Sequence, residues 1–212
     1  GYDHVVLSTG FLAERISEYY GESFGTLQLS YATETQPLFT GGAIRFAMQQ
    51  TTAENVLILN GDTLFDIDIA QLEQVHYSSQ AAVTIALRQM PDTARYGAVE
   101  LNEKNRVVAF IEKDAAHGSG LINGGIYLIQ RQWLMDMPLP TKFSFEKEVL
   151  TKLYQQYRFI GAPCTNYFVD IGVPEDYACA QQELPALFPA PRFLFLDRDG
   201  VLNVLRQNDY VK

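Results

Sequence analysis

Four aspartates stand where strand-like apolar runs end. Asp62 closes NVLILNGD, Asp170 follows NYFV, and Asp197 and Asp199 follow the apolar start of FLFLDRDGVLN. Ligands on open α/β sheets bind in the crevice beyond the carboxyl ends of the strands, so a carboxylate placed there can meet one. Two carboxylates brought together at such an edge repel each other unless a cation lies between them. Mg²⁺ suits a pair of this kind when phosphates supply the remaining oxygens. Gly61 and Gly172 stand beside Asp62 and Asp170, and a glycine lets a ligand approach the backbone. The plain alternative is that an aspartate merely caps the next helix, which Asp66 or Asp68 could do ahead of DIAQLEQVHYSSQ.

The composition bounds what such a site can serve. The chain has 212 residues, enough for one α/β domain of generous size or a domain plus a fragment. Apolar residues make up 47% and aromatics 12%, ample material for a core. The formal net charge of −9 argues against a polynucleotide partner, which needs basic stripes. A small phosphorylated ligand stays open, because a local site can be cationic on an acidic protein. Cys164 and Cys179 lack metal-site spacing and read as free thiols of a reducing compartment. No apolar run reaches the ~20 residues of a membrane span, and no signal peptide is visible. These features predict a cytoplasmic protein without a membrane partner.

The elements that must position the aspartates read as an alternation. DHVVLSTG is a short apolar strand, LAERISEYYG a helix with a closing glycine, and LQLSYATE a strand. GGAIRFAMQQTTAE is a helix entered through glycines, and NVLILNGD a continuous apolar strand of the kind buried on both faces. AAVTIALRQM, YGAVELNEKNRVVAFIEK and GLINGGIYLIQ carry strand signals, with a hairpin turn inside LNEKNRVVAFIE. SFEKEVLTKLYQQY has the spacing of an amphipathic helix, and YFVDIGVPEDYACAQQEL reads as strand, turn and helix. PALFPAPR, with three prolines in eight residues, reads as a linker before FLFLDRDG starts something new. The pattern predicts an α/β fold with a doubly wound, mostly parallel, Rossmann-like sheet.

Seven fragments in one order carry a family resemblance over residues 2 to 185: ETQPLFTGGAI, LILNGDTLF, RYGAVEL, FIEK, INGGIYLI, FSFEKEVL and YFVDIGVPEDY. Together the chain resembles the sugar-1-phosphate nucleotidyltransferases, among them the heptose and mannose 1-phosphate guanylyltransferases. The resemblance implies a nucleoside triphosphate and a sugar 1-phosphate as partners, and Mg²⁺ as cofactor. It implies that Asp62 and Asp170 hold the metal against the nucleotide phosphates, and that Lys113 pairs with the sugar phosphate. Gly97, Glu112 and Asn123 would contact sugar hydroxyls, Gly41 and Gly42 would lie against the base, and Glu34 and Gly172 would belong to the substrate site. The three histidines, His4, His76 and His117, match no position of the family. The implied reaction is attack of the sugar-phosphate oxygen on the α-phosphorus of the nucleotide, with loss of pyrophosphate.

Two departures stand out. Phe39 occupies a position where the family often has glycine. The family also opens with a strand and a Gly-rich loop with cationic side chains that bind the triphosphate, and nothing before Asp3 matches it. The resemblance therefore implies a domain over 1–184 that begins at the family's second strand and, taken alone, does not turn over.

FLFLDRDGVLN with DYV following (Asp209 to Val211) resembles the first motif of haloacid-dehalogenase-like phosphatases of the histidinol-phosphate and heptose-bisphosphate type. That resemblance implies a linker at 185–192 and the start of a phosphatase domain at 193–212. Asp197 would be its nucleophile, Asp199 its general acid and base, and both would lie at its Mg²⁺. A bifunctional protein making a GDP-linked heptose for a surface polysaccharide would follow. Two other readings compete. One is a metal-dependent glycosyltransferase using the Asp-x-Asp of FDID (Phe65 to Asp68), and the other is an inactive domain that binds sugar nucleotides.

Overall fold

The computed structural model describes residues 2–115 and 118–187. The chain runs β1 (His4–Thr9), α1 (Ala13–Tyr20), β2 (Ser23–Phe24), β3 (Leu27–Thr33), α2 (Phe39–Ala47), β4 (Asn55–Leu59) and β5 (Thr63–Phe65). It continues with α3 (Ile69–Ser79), β6 (Val83–Met90), β7 (Ala98–Leu101), β8 (Val107–Ile111), β9 (Gly120–Gln130) and α4 (Arg131–Asp136). It ends with a π-helical turn (Phe145–Leu150) leading into α5 (Thr151–Leu153), then β10 (Phe159–Cys164), β11 (Phe168–Asp170) and α6 (Pro174–Leu187). The α/β architecture is the expected one.

The sheets are mixed rather than mostly parallel. β1 and β3 pair in parallel, as do β10 and β6. The long strand β9 runs antiparallel to β4, β6 and β7, and β7 and β8 form the expected antiparallel hairpin. Because β4 and β6 both oppose β9, they point the same way as each other and as β10. Their carboxyl ends therefore share one edge, and the segments bearing Asp62 and Asp170 leave from it. A second small ladder, β11 on β5, lies beyond that edge.

The main core sits on one face of β6 and β9. Val83, Ile85 and Leu87 alternate inward, and Tyr127 and Ile129 meet them across the ladder. Phe143, Phe145, Val149, Leu150 and Phe159 close over this face, each such buried side chain contributing about 1.5–3 kcal/mol. The opposite face packs Ala86, Ile126 and Leu128 against Phe65 and Leu72.

Three sequence expectations change. NVLIL is not buried on both faces. Asn55–Ile58 are half-buried and Leu59 is 58% exposed. Among the described residues β4 pairs only with β9, and β1 only with β3, so each keeps one open edge. SFEKEVL is a π-helical turn, not an ordinary amphipathic helix. Phe145, Val149 and Leu150 are all buried, and a wide turn puts positions i, i+4 and i+5 on one face. Ser144 caps it by accepting the Lys147 N–H at 3.2 Å, while the Ser144 N–H donates to Glu148 at 2.8 Å. Finally, α6 runs through Pro185 to Leu187, three residues into the stretch read as linker. The remaining linker residues and the 193–212 motif, with Asp197 and Asp199, lie outside the described residues.

Candidate active site

The β5–β11 ladder brings the two aspartates together. Asp170 stands opposite Thr63, and the Ile171 N–H donates to the Asp62 carbonyl at 2.9 Å. Residues 108 positions apart in the chain are thereby fixed on adjacent strand ends. Asp170 is oriented by the Gly172 N–H, which donates to its Oδ1 at 2.9 Å. The Thr63 hydroxyl lies 3.3 Å from the Asp62 Oδ1. Asp68 caps α3, accepting the Gln71 N–H at 3.1 Å, as the cap reading of FDID expects.

The loop carrying Asp62 rests on a bulge in β9. Between Ile85 and Leu87 the register slips, so that Tyr127 and Asn123 face β6 with three residues between them. Gly125 at the bulge has a φ of +74°, and a Cβ there would come within 2.9 Å of the Asn60 Nδ2. Its carbonyl accepts the Asn60 N–H at 2.9 Å. Asn123 holds the bulge from inside: its Oδ1 accepts the Gly125 N–H at 3.1 Å, and its Nδ2 donates to the Tyr127 hydroxyl at 2.7 Å. Tyr127 is 1% exposed, and burial, with Glu146 nearby, pushes its hydroxyl pKa well up.

The other expected residues fall into two groups. Gly97 has a φ of +78°, and a Cβ there would lie 2.6 Å from the Ile111 carbonyl oxygen. Gly97 is thereby seated against the end of β8, where Glu112 and Lys113 follow with exposed side chains. Glu34, Gly41 and Gly42 sit at the entry to α2. The Glu34 carboxylate accepts the Leu38 N–H at 2.8 Å and so shapes the turn before the helix. Gly41 and Gly42 both donate their N–H groups to the Phe143 carbonyl, at 2.9 and 3.2 Å. Their missing side chains admit Phe143 and Thr141, which a Cβ would meet at 2.1 and 2.4 Å. The glycine pair is thus engaged in helix packing. The Thr40 hydroxyl donates to Glu146 at 2.8 Å, which joins this helix entry to the surroundings of Tyr127.

Sequence reasoning missed several neighbours. Tyr96 meets Phe168 edge to face at 6.1 Å, and Arg95 forms an ion pair with Asp176 at the start of α6. Burial raises the Tyr96 pKa, with Asp170 adding to the effect. Together they tie the Gly97 turn to the strand that carries Asp170. Arg88, near the carboxyl end of β6, has a buried Nε with no hydrogen-bond partner. Gly124 and Gly125 carry the signal that points to the bulge network: a Gly-Gly pair inside an apolar strand marks a bulge or a close backbone approach.

A strand-end aspartate pair at the edge of a mixed α/β sheet is the arrangement of a phosphate-handling α/β protein, in which a cation between the carboxylates meets phosphate oxygens. The sequence matches the nucleotidyl transferase family over residues 1–186, and the chain belongs to that family. It is 44% identical over 184 residues to the D-glycero-alpha-D-manno-heptose 1-phosphate guanylyltransferase of Aneurinibacillus thermoaerophilus, covering 87% of this chain and 79% of the relative. The Campylobacter jejuni protein of the same name is 40% identical over 177 residues, covering 84% and 77%. Among solved structures, HddC from Yersinia pseudotuberculosis superposes with a TM-score of 0.76 at 30% identity, over 87% of this chain and 80% of that one. Its complex with GMP-PN gives 0.74, over 84% and 77%.

Proposed function

We propose that this chain serves, within the full protein, the transfer of a guanylyl group from GTP to a heptose 1-phosphate, with release of pyrophosphate and formation of a GDP-heptose. The observation that carries the reading is the β5–β11 ladder that sets Asp62 and Asp170 side by side at the carboxyl edge. The names of the relatives support GTP and the heptose as the substrates.

The donor set fits Mg²⁺. No cluster of three or more metal-ligating side chains occurs among the described residues, and two carboxylates leave room for the waters and phosphate oxygens that Mg²⁺ prefers. Asp62 and Asp170 would hold it, and the bound ion would neutralise charge on the nucleotide phosphates. The sugar-phosphate oxygen is already an anion, so no strong base is needed and the protein chiefly positions and neutralises. Lys113 is the proposed cation for the sugar phosphate, and Gly97, Glu112, Asn123 and Gly172 line the proposed sugar side. Gly41, Gly42 and Glu34 shape the proposed base side through the α2 entry. The motif at 193–212 is proposed to begin a sugar-phosphate phosphatase, with Asp197 as nucleophile and Asp199 as acid and base. Supplying heptose 1-phosphate from the bisphosphate would be its place, in a cytoplasmic route to surface polysaccharide.

The test is pyrophosphate release from GTP and heptose 1-phosphate. Asp62→Asn and Asp170→Asn are each expected to lower kcat by about 100-fold or more, since charge stabilisation is the largest catalytic contribution in such reactions. Unchanged turnover in either variant would sink the assignment. For the second activity, Asp197→Asn in the full protein is expected to abolish release of phosphate from heptose 1,7-bisphosphate and to spare transfer from ready-made heptose 1-phosphate.

A further inference from the structure

We infer that the Phe39 ring, at the entry to α2, is a stacking platform for the base of the nucleoside triphosphate. The inference rests on the proposed base side of the site and deepens it, by naming the aromatic group that the base would meet there.

Phe39 holds a backbone conformation that suits glycine. Its φ is +60°, an outlier for a bulky side chain and an ordinary state for glycine. The surroundings impose it. On one side the Leu38 N–H donates to the Glu34 carboxylate at 2.8 Å, and the Leu38 carbonyl accepts the Phe143 N–H at 3.1 Å. On the other side the Thr40 hydroxyl accepts the Phe145 N–H at 2.9 Å and donates to Glu146 at 2.8 Å. The Gly41 and Gly42 N–H groups follow, both donating to the Phe143 carbonyl. The backbone is therefore pinned before and after Phe39, and a strained residue persists where its surroundings over-determine it. Burial does not offset the strain. The ring is 58% exposed and joins none of the core clusters of the described residues. The Lys142 Nζ stands over the ring at 4.3 Å from its centroid, and this cation–π contact steadies the ring from one face. A steadied ring that stays exposed is suited to a planar partner. The base is the flat, π-faced group that the proposed reaction brings to this helix entry, and such groups stack on aromatic side chains.

The experiment uses the full protein with GTP and Mg²⁺ and no sugar phosphate, so that binding is read without turnover. Calorimetry gives the affinity, and the ring-current shift of the guanine H8 proton reports stacking on an aromatic ring. Phe39→Leu keeps an apolar side chain without a ring, and Phe39→Gly relieves the backbone. Each is expected to bind GTP about tenfold more weakly and to lose the upfield H8 shift seen with the wild type. Phe39→Tyr keeps the π-face and is expected to stay within about twofold of wild type. In the transfer assay, KM for GTP should rise in the Leu and Gly variants while KM for the sugar 1-phosphate stays within about twofold. Phe39→Gly removes strain, so it carries the test if Phe39→Leu fails to fold. Wild-type GTP affinity in Phe39→Gly would overturn the inference and leave the ring as a tolerated surface residue. Altered self-association with unchanged GTP affinity would overturn it too, making the ring a contact between copies of the protein. A wild-type protein that binds no GTP would overturn the proposed nucleotide site itself, which separates that failure from the other two.

Discussion

Phe39 is a residue whose backbone and side chain disagree. Its φ is +60°, its ring is 58% exposed, and Lys142 stands over the ring at 4.3 Å. A side chain in the left-handed region is strained by about 1–2 kcal/mol, and glycine is not. Glycine is therefore expected to exceed alanine at position 39 by about 1 kcal/mol, reversing the usual helical order. Thermal unfolding of Phe39→Gly and Phe39→Ala checks this, and equal or inverted midpoints would mean the strain is absent. The departure from glycine was plain in the sequence, but the conformation that makes it costly was not. His76 is the second case. It lies buried between the Thr84 hydroxyl at 2.8 Å and the Asn55 Oδ1 at 3.0 Å, and burial lowers its pKa to about 4. The folded pKa lies below that of the unfolded chain, so the unfolded state binds more protons between the two. Stability is full above about pH 6.5 and falls as pH drops toward 4, by up to about 3 kcal/mol. Urea midpoints at pH 7 and pH 5 should therefore diverge in the wild type and converge in His76→Gln.

At the scale of elements, the hydrophobic pattern placed most of the longer strands and helices, because burial on one face leaves a period that survives in sequence, and it passed over β2, β5, β10 and α4. The exceptions are places where a long-range contact decides. FSFEKEVL carries apolar residues that suit a helix of ordinary pitch, yet it forms a wider π turn tied to α2, where the Phe145 N–H donates to the Thr40 hydroxyl and the Phe143 carbonyl accepts from Gly41 and Gly42. GLINGGIYLIQ reads as a strand, but its bulge exists because Asn123 and Asn60 hold it. The glycines of α2 show the same limit. Their presence was visible, but the groups that fill the space of their missing side chains, Phe143 and the Thr141 carbonyl, were not. Gly41→Ala is accordingly expected to destabilise the protein by about 1–3 kcal/mol through overpacking. A denaturant midpoint equal to wild type would show that Phe143 can move aside. Asp68→Ala, at the cap of α3, should lower stability by about 1 kcal/mol without altering turnover.

At the scale of the molecule, the α/β class followed from alternation, but strand direction did not. A long strand such as β9 reads alike in either direction, and its antiparallel course between β4 and β6 makes the sheet mixed. The aspartate pair was legible because each residue follows an apolar run, and its closeness became visible only through the β5–β11 ladder. The network behind it, from Tyr127 to Asn60, was not legible, since those residues are ordinary in type and are related only by the fold. No helix among the described residues is long and apolar enough to cross a membrane.

The central claim is guanylyl transfer to a heptose phosphate, and a competition assay tests it most directly. The full protein would be given GTP, Mg²⁺ and equal concentrations of heptose 1-phosphate and mannose 1-phosphate, with products resolved by mass spectrometry. GDP-heptose is expected to dominate by at least about tenfold, a discrimination of about 1.4 kcal/mol that contacts to the extra hydroxymethyl group can supply. Preferential formation of GDP-mannose, or release of GDP instead of pyrophosphate, would contradict the account.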